Sequence, residues 1–183
     1  VKELIALARR QPGQNTYGTS GPGGAPHLGG VLLRKMAKID IAHIPYKGSA
    51  ISMQDLVGGQ IMLSFDSLLQ YLPFIKTNKV RALAVLGKQR SATVPDVPTM
   101  DETGVPGYEH TNWFGLVLPG TTPQDLSRRI AADVSKVLAQ SDIRDKFSAM
   151  GATVVGSAPE QFGAFMRAES DKWGKLIAEA GIQ

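Results

Sequence analysis

The residues best suited to chemistry form one run, Gly18-Thr19-Ser20-Gly21-Pro22-Gly23-Gly24-Ala25-Pro26, between an extended segment near Thr16 and Tyr17 and a helical pattern. A strand-to-helix turn of this kind aims free backbone N–H groups and the positive end of a helix at one spot, an arrangement that holds anions. Thr19 and Ser20 add hydroxyl donors suited to a carboxylate. The same glycines also suit a purely structural turn, since glycine alone takes positive φ without strain. The residues of the loop leave both readings open.

Known loop chemistries discriminate further. A phosphate loop ends in Gly-Lys-Ser/Thr, and Gly23-Gly24-Ala25 offers no lysine. The dinucleotide fingerprint needs a last glycine where Pro26 stands. A nucleophile elbow, Gly-x-Ser-x-Gly, fails at Pro22. The loop therefore fits binding better than catalysis. A serine hydrolase is the second reading, because Ser20, Asp66 and His110 follow the chain order of α/β-hydrolases.

His27, His43 and His110 lack any His-x-x-x-His spacing and cysteine is absent, so neither a metal nor a thiolate nucleophile is expected, and no cofactor motif is found. His27 falls in the first helical turn and reads as a hydrogen-bonding brace for the loop; His43 reads as a packed polar residue on a strand. Tyr46-Lys47-Gly48-Ser49 follows a strand and precedes a helix, which brings it to the same sheet end as the glycine loop. There Lys47 attracts anions or is simply solvated, and Ser49 is expected to cap its helix. Asp66 also ends a strand, where open α/β sheets bind ligands, and it either meets a ligand or caps the next helix. Trp113 and Phe114 line a cleft or belong to the core.

The elements that must position these groups follow from periodicity. Val1, Leu4, Ile5 and Ala8 recur at helical spacing. Helices are predicted over 26–38, 49–57 and 68–76, with strands near 16–17 and over 39–44, 61–65 and 80–86. This alternation predicts an α/β fold with parallel strands, the apolar run 61–65 being covered on both faces. Residues 88–110 form a long connection rich in proline and glycine. A strand over 114–118, a helix begun by Thr122 and Pro123, and a shorter helix capped by Ser141 follow. A strand over 152–155 then leads to a last helix opened by a Ser157–Glu160 capping box, with Phe162, Phe165, Met166, Trp173, Leu176 and Ile177 as its buried stripe.

At 183 residues the chain amounts to about one domain. Its 43% hydrophobic and 20% charged residues are those of a soluble folded protein and exclude intrinsic disorder. No apolar run reaches the ~20 residues of a membrane helix. The net charge of +4 is spread thinly, with Arg34, Lys35 and Lys38 the densest cluster, which argues against nucleic acid as a partner. The first residue is Val1 and helix begins at once; the chain is read as starting inside a fold, with no signal peptide in it.

Seven stretches together resemble the extracytoplasmic solute receptors of the tripartite tricarboxylate transporter family, the Bug-type binding proteins. They are Tyr17-Gly-Thr-Ser-Gly-Pro-Gly-Gly-Ala-Pro-His27-Leu, His43-Ile-Pro-Tyr-Lys-Gly-Ser49, Asp55-Leu-Val-Gly-Gly-Gln60, Phe65-Asp66, Arg81-Ala-Leu-Ala-Val85, Pro95-Asp-Val-Pro-Thr99 with Gly104, and Trp113-Phe-Gly-Leu116. The resemblance implies a periplasmic binding protein type II fold of two lobes. Residues 1–113 would form the second lobe, and 114–183 would return into the first, whose N-terminal part is missing. It implies a periplasmic, non-enzymatic receptor with no cofactor, whose partners are a small carboxylate and the membrane subunits of the transporter. A chain lacking part of a lobe would expose sheet and favour a homodimer. By motif match, Thr19, Ser20, Gly21, Gly23, Gly24, Ala25 and His27, with Tyr46, Lys47, Ser49 and Asp66, would surround the ligand. Gly24 departs from the usual Ser or Thr and Val31 from a frequent Glu, so those contacts are not carried over.

Overall fold

The computed structural model describes residues 1–182. Its organising element is a parallel sheet of three short strands, β1 (Thr16–Thr19), β2 (Ala42–Pro45) and β3 (Leu63–Ser64), in the order β2-β1-β3. The register sets Tyr17 beside His43 on one side and Leu63 on the other, and Thr19 beside Pro45. Parallel strands end at a common edge, so the loops after β1, β2 and β3 collect there. Each leads into a helix: α2 (Ala25–Ala37), α3 (Ser49–Val57) and α4 (Leu68–Lys76), while α1 (Lys2–Arg10) precedes β1.

The core sits between these helices and the sheet. The periodic face of α1 delivers Ile5 and Ala8; α2 delivers Leu33 and Ala37; the sheet and its approaches deliver Tyr17, Ile39, Ile41, Leu63 and Phe65. Two glycines in α2, each costing about 1 kcal/mol of helix propensity against alanine, are explained by this packing. A Cβ on Gly30 would stand 2.2 Å from the Tyr17 ring, and one on Gly29 would stand 3.0 Å from Phe65 Cβ. The helix approaches the sheet closely because it carries no side chain there. The long connection is structural as well, since Met100, Val105 and Tyr108 enter the core and Tyr108 Oη donates to the Gly29 carbonyl at 2.9 Å. Arg90 closes it with a forked pair to Glu102, which holds that carboxyl down at about 2.

Beyond this unit lie α5 (Gln124–Leu138), α6 (Ser141–Ala149) and α7 (Pro159–Ala180). α7 reaches back to α2, with Leu176 buried and an ion pair between Lys35 and Glu179. Trp173 sets its ring edge-on to His110, 5.4 Å between centroids.

Several expectations fail, and one physical rule covers the strands: a ladder needs a neighbouring chain. Over 80–86 only Val85 finds one, as an isolated parallel bridge to Thr99. Residues 114–118 and 152–155 are not strand, and Phe114 and Val155 are 87% and 81% exposed. The run 61–65 is not covered on both faces, since Met62 is 48% exposed between buried Ile61 and Leu63. The predicted caps are displaced. Gly48, Gln140 and Ala158 occupy the N-cap positions before Ser49, Ser141 and Pro159, and Gln161 rather than Glu160 reaches back, accepting from the Ala158 N–H at 3.3 Å. The stripe on α7 is buried only at Leu176; Phe162 and Phe165 pack instead against Trp113, which is itself 41% exposed.

Replacing Gly30 by Ala should therefore overpack the α2–β1 contact. The expected outcome is a loss of about 1–3 kcal/mol, read as a lower urea midpoint with an unchanged m-value.

Candidate functional site

The common edge of β1 and β2 holds the candidate residues. After β1 the chain turns through residues 20–24, with Gly21 at φ 138° and Gly23 at φ 72°, conformations that favour glycine. After β2 it turns through Tyr46, Lys47 and Gly48, the last at φ 150°. The two loops abut. The Tyr46 N–H donates to the Thr19 carbonyl at 3.0 Å, and a Cβ on Gly21 would lie 3.9 Å from the Tyr46 carbonyl oxygen.

Both helices that leave these loops start without a side-chain cap. Their first internal bonds are made by the N–H of Leu28, to Gly24 O, and of Ser52, to Gly48 O. The N–H groups of Gly24, Ala25 and His27, and of Ser49, Ala50 and Ile51, therefore have no intrahelical acceptor. Two sets of backbone donors and two positive helix ends thus meet at one sheet edge, an arrangement that favours an anion. Ser20 and Lys47 are exposed beside them.

Beneath the mouth, polar groups are spent on holding the loop. His27 Nδ1 accepts the Gly23 N–H at 3.0 Å. Thr19, only 1% exposed, accepts the Gly21 N–H at 3.2 Å through Oγ1, which also stands 3.1 Å from Gly21 O and 2.7 Å from His43 Nε2. A hydroxyl has one proton; if Gly21 O takes it, His43 is the donor. The His27 and His43 rings are stacked at 3.9 Å and 14°, with Tyr17 against both. Burial first, then the Arg34 charge, lowers His27 below its usual range. His43 is lowered to about 4 by burial, by His27 and by Arg34. Tyr46 is fixed from the side, donating from Oη to Asp55 Oδ2 at 2.7 Å.

Of the sequence candidates, Ser20, Gly21, Gly23, Gly24, Ala25, Lys47 and Ser49 gather at this mouth, with Tyr46 beside them. Thr19 and His27 lie underneath as braces, so their side chains face the loop. Asp66 follows β3 on the far side of β1, and its Oδ1 accepts the Ser67 N–H at 2.7 Å, a local turn contact at the start of α4. The hydrolase relay is not assembled. His110 is buried with Nε2 2.7 Å from the Ala25 carbonyl, Asp66 is turned to Ser67, and neither meets Ser20. Chain order carried no distance information, which is why it misled. The His43–Thr19 and Tyr46–Asp55 bonds were missed for the complementary reason: residues 24 and 9 positions apart give no periodic signal. Among the described residues no cluster of three potential metal ligands occurs, and no helix is long and apolar enough to cross a membrane. Two shallow cavities of about 370 and 500 Å³ lie elsewhere, one beside Leu4, Arg81 and Pro98, the other beside Arg90 and Glu102.

Burial lowers all three histidines, so the folded state resists their protonation while the unfolded chain takes up protons from about pH 6.5 downward. Folding stability should be full above that pH and fall as pH drops toward 5. Urea melts at pH 7.5, 6 and 5 check this; an unchanged stability across the window would contradict it.

Comparison with known proteins identifies the family. The model for the tripartite tricarboxylate transporter family receptor matches residues 1–182. A UPF0065 protein from the tcbD-tcbE intergenic region of a Pseudomonas species is 33% identical over 180 residues, 98% of this chain and 54% of that protein. An R. palustris protein solved with adipate superposes with a TM-score of 0.93 at 34% identity, over all of this chain and 61% of its own. MatC from Rhodopseudomonas palustris, solved with bound malate, gives 0.85 at 28% identity, over 97% of this chain and 61% of its own. The chain thus spans about half the length of that Pseudomonas relative. With a parallel α/β fold shared with periplasmic binding proteins and a family model running from its first residue to residue 182, the chain belongs to the tripartite tricarboxylate transporter receptors, a family of solute-binding proteins and not of enzymes.

Proposed function

We propose that this chain forms one wall of a periplasmic receptor site that captures a small dicarboxylate and presents it to the membrane subunits of a tripartite transporter. The observation that carries the reading is the pair of uncapped helix starts, α2 and α3, brought together on abutting loops at the edge of β1 and β2. One ligand carboxylate lies across the N–H groups of Gly24 and Ala25, with the Ser20 hydroxyl as a further donor. Ser49 and the start of α3 face it from the second loop, and Lys47 supplies long-range attraction. Thr19, His27 and Tyr46 position these loops. Gly24 contributes backbone alone, where a Ser or Thr would add a hydroxyl. Asp66, an anion at the same edge, favours a ligand hydroxyl or ammonium over a second carboxylate on its side.

The relatives solved with adipate and with malate support a dicarboxylate, and the family supports the periplasm and the transporter as partner. Residues 1–113 then act as one lobe and 114–182 as the return into the other, a division supported by the exposed apolar residues Phe114, Leu116 and Val117. Closure of two lobes on the ligand would follow the hinge mode of binding proteins.

Thermal shift with small mono-, di- and tricarboxylates tests the reading. Ligand at a hundred times Kd adds about 2.7 kcal/mol to stability, so at least one acid, adipate and malate among those tried, should raise Tm. Lys47→Glu, on an exposed side chain, should weaken that ligand by about tenfold at low salt with the ligand-free Tm unchanged. No shift with any carboxylate would overturn the proposal.

A further inference from the structure

Beneath the loop lies a stacked pair of imidazoles, each bonded to a group that holds the loop. The Gly23 N–H points at His27 Nδ1, 3.0 Å away, so the bond exists only while that nitrogen keeps its lone pair. A proton there sets N–H against N–H and removes the tie between Gly23 and the first turn of α2. His43 lies flat on the same ring at 3.9 Å, and its Nε2 meets the Thr19 hydroxyl that bonds the backbone of Gly21. The two glycines that shape the loop are thus each fastened, directly or through one hydroxyl, to one member of a stacked imidazole pair.

The groups around the pair leave an added charge uncompensated. From β1, Tyr17 sets its ring against both imidazoles, and its hydroxyl stays neutral, pushed up to about 12 by burial. Just past β3, Phe65 is apolar and packs edge-on to Tyr17. From α2 itself, Arg34, paired with Asp40 at 3.1 Å, opposes a proton on either ring. Each imidazole also opposes protonation of the other, so the pair takes one proton and resists a second. His27 is the member whose Nδ1 bonds Gly23, so a proton taken up there acts directly on the loop.

We propose that His27, backed by His43, is a positioning residue that latches the carboxylate loop only in its neutral form, so that proton uptake by the pair frees residues 20–24 and weakens ligand capture. The part of this inference that concerns the ligand rests on the carboxylate reading; the part that concerns the loop does not.

The test has two arms. In the ligand-free chain, NMR follows the His27 ring nitrogens and hydrogen exchange at the Gly23 amide from pH 8 to 5. The expected result is that Gly23 loses protection with the midpoint of His27 Nδ1 protonation, below 6.5, and that His27→Asn, whose Oδ1 accepts at any pH, keeps Gly23 protected throughout. In the second arm, calorimetry with adipate compares wild type and His27→Asn at pH 7.5 and 5.5, which cancels the ligand's own titration. Wild type should lose affinity relative to the variant by up to tenfold per pH unit below the midpoint. A Gly23 amide indifferent to His27 titration overturns the latch, and so does wild-type affinity that rises on acidification relative to the variant, the signature of an imidazolium touching the carboxylate. If no carboxylate binds at pH 7.5 while Gly23 still follows His27, the carboxylate reading falls and the loop latch stands.

Discussion

Under the carboxylate proposal, two opposed requirements fall on the β1–α2 loop: it must stay fixed, and it must leave its outward backbone donors free. A side-chain cap would do the first and spoil the second, since a capping oxygen would consume the very N–H groups that an anion needs. Here the loop is held from beneath. His27 takes the Gly23 N–H and Thr19 takes the Gly21 N–H, while the first N–H groups of α2 remain open. Gly30 lets α2 settle on Tyr17, Tyr17 backs the imidazole pair, and His110 fixes the Ala25 carbonyl from the side.

This division of labour accounts for the contrast in burial among residues of similar chemistry. Thr19 and Ser20 are neighbours with hydroxyls, yet one is buried and spent within the loop while the other faces outward. β1 is buried on both faces and ends at Thr19, whereas Ser20 is the first residue of the loop beyond the sheet. His27 lies in the first turn of α2 and points inward, so burial, followed by the Arg34 charge, lowers its pKa.

Much of this was legible in the sequence where the signal is local. The glycine run, the proline in the first turn of α2, the helix at the start of the chain, those over 49–57 and 68–76, and the parallel α/β class all follow from spacing within a few residues. What spacing could not supply was partnership across the fold. Arg81 to Ala84 and Phe114 to Leu118 have strand-like composition, but a strand exists only beside another, and these runs lack one among the described residues. The stripe of α7 has the right periodicity, yet periodicity says which face is apolar and not what covers it. The site divides the same way. The loops were found from residue types, whereas the braces His43 and Asp55 are long-range contacts that only the register of β1 on β2 and the path of α3 bring into place.

The central claim is that the α2 and α3 starts jointly receive a carboxylate. Amide chemical-shift mapping during titration with adipate tests it most directly. The account predicts that the amides of Gly21, Gly23, Gly24 and Ala25 and those of Lys47, Ser49 and Ala50 move together with one binding constant. Shifts confined to the cavity beside Leu4, Arg81 and Pro98, or movement of one loop without the other, would contradict it.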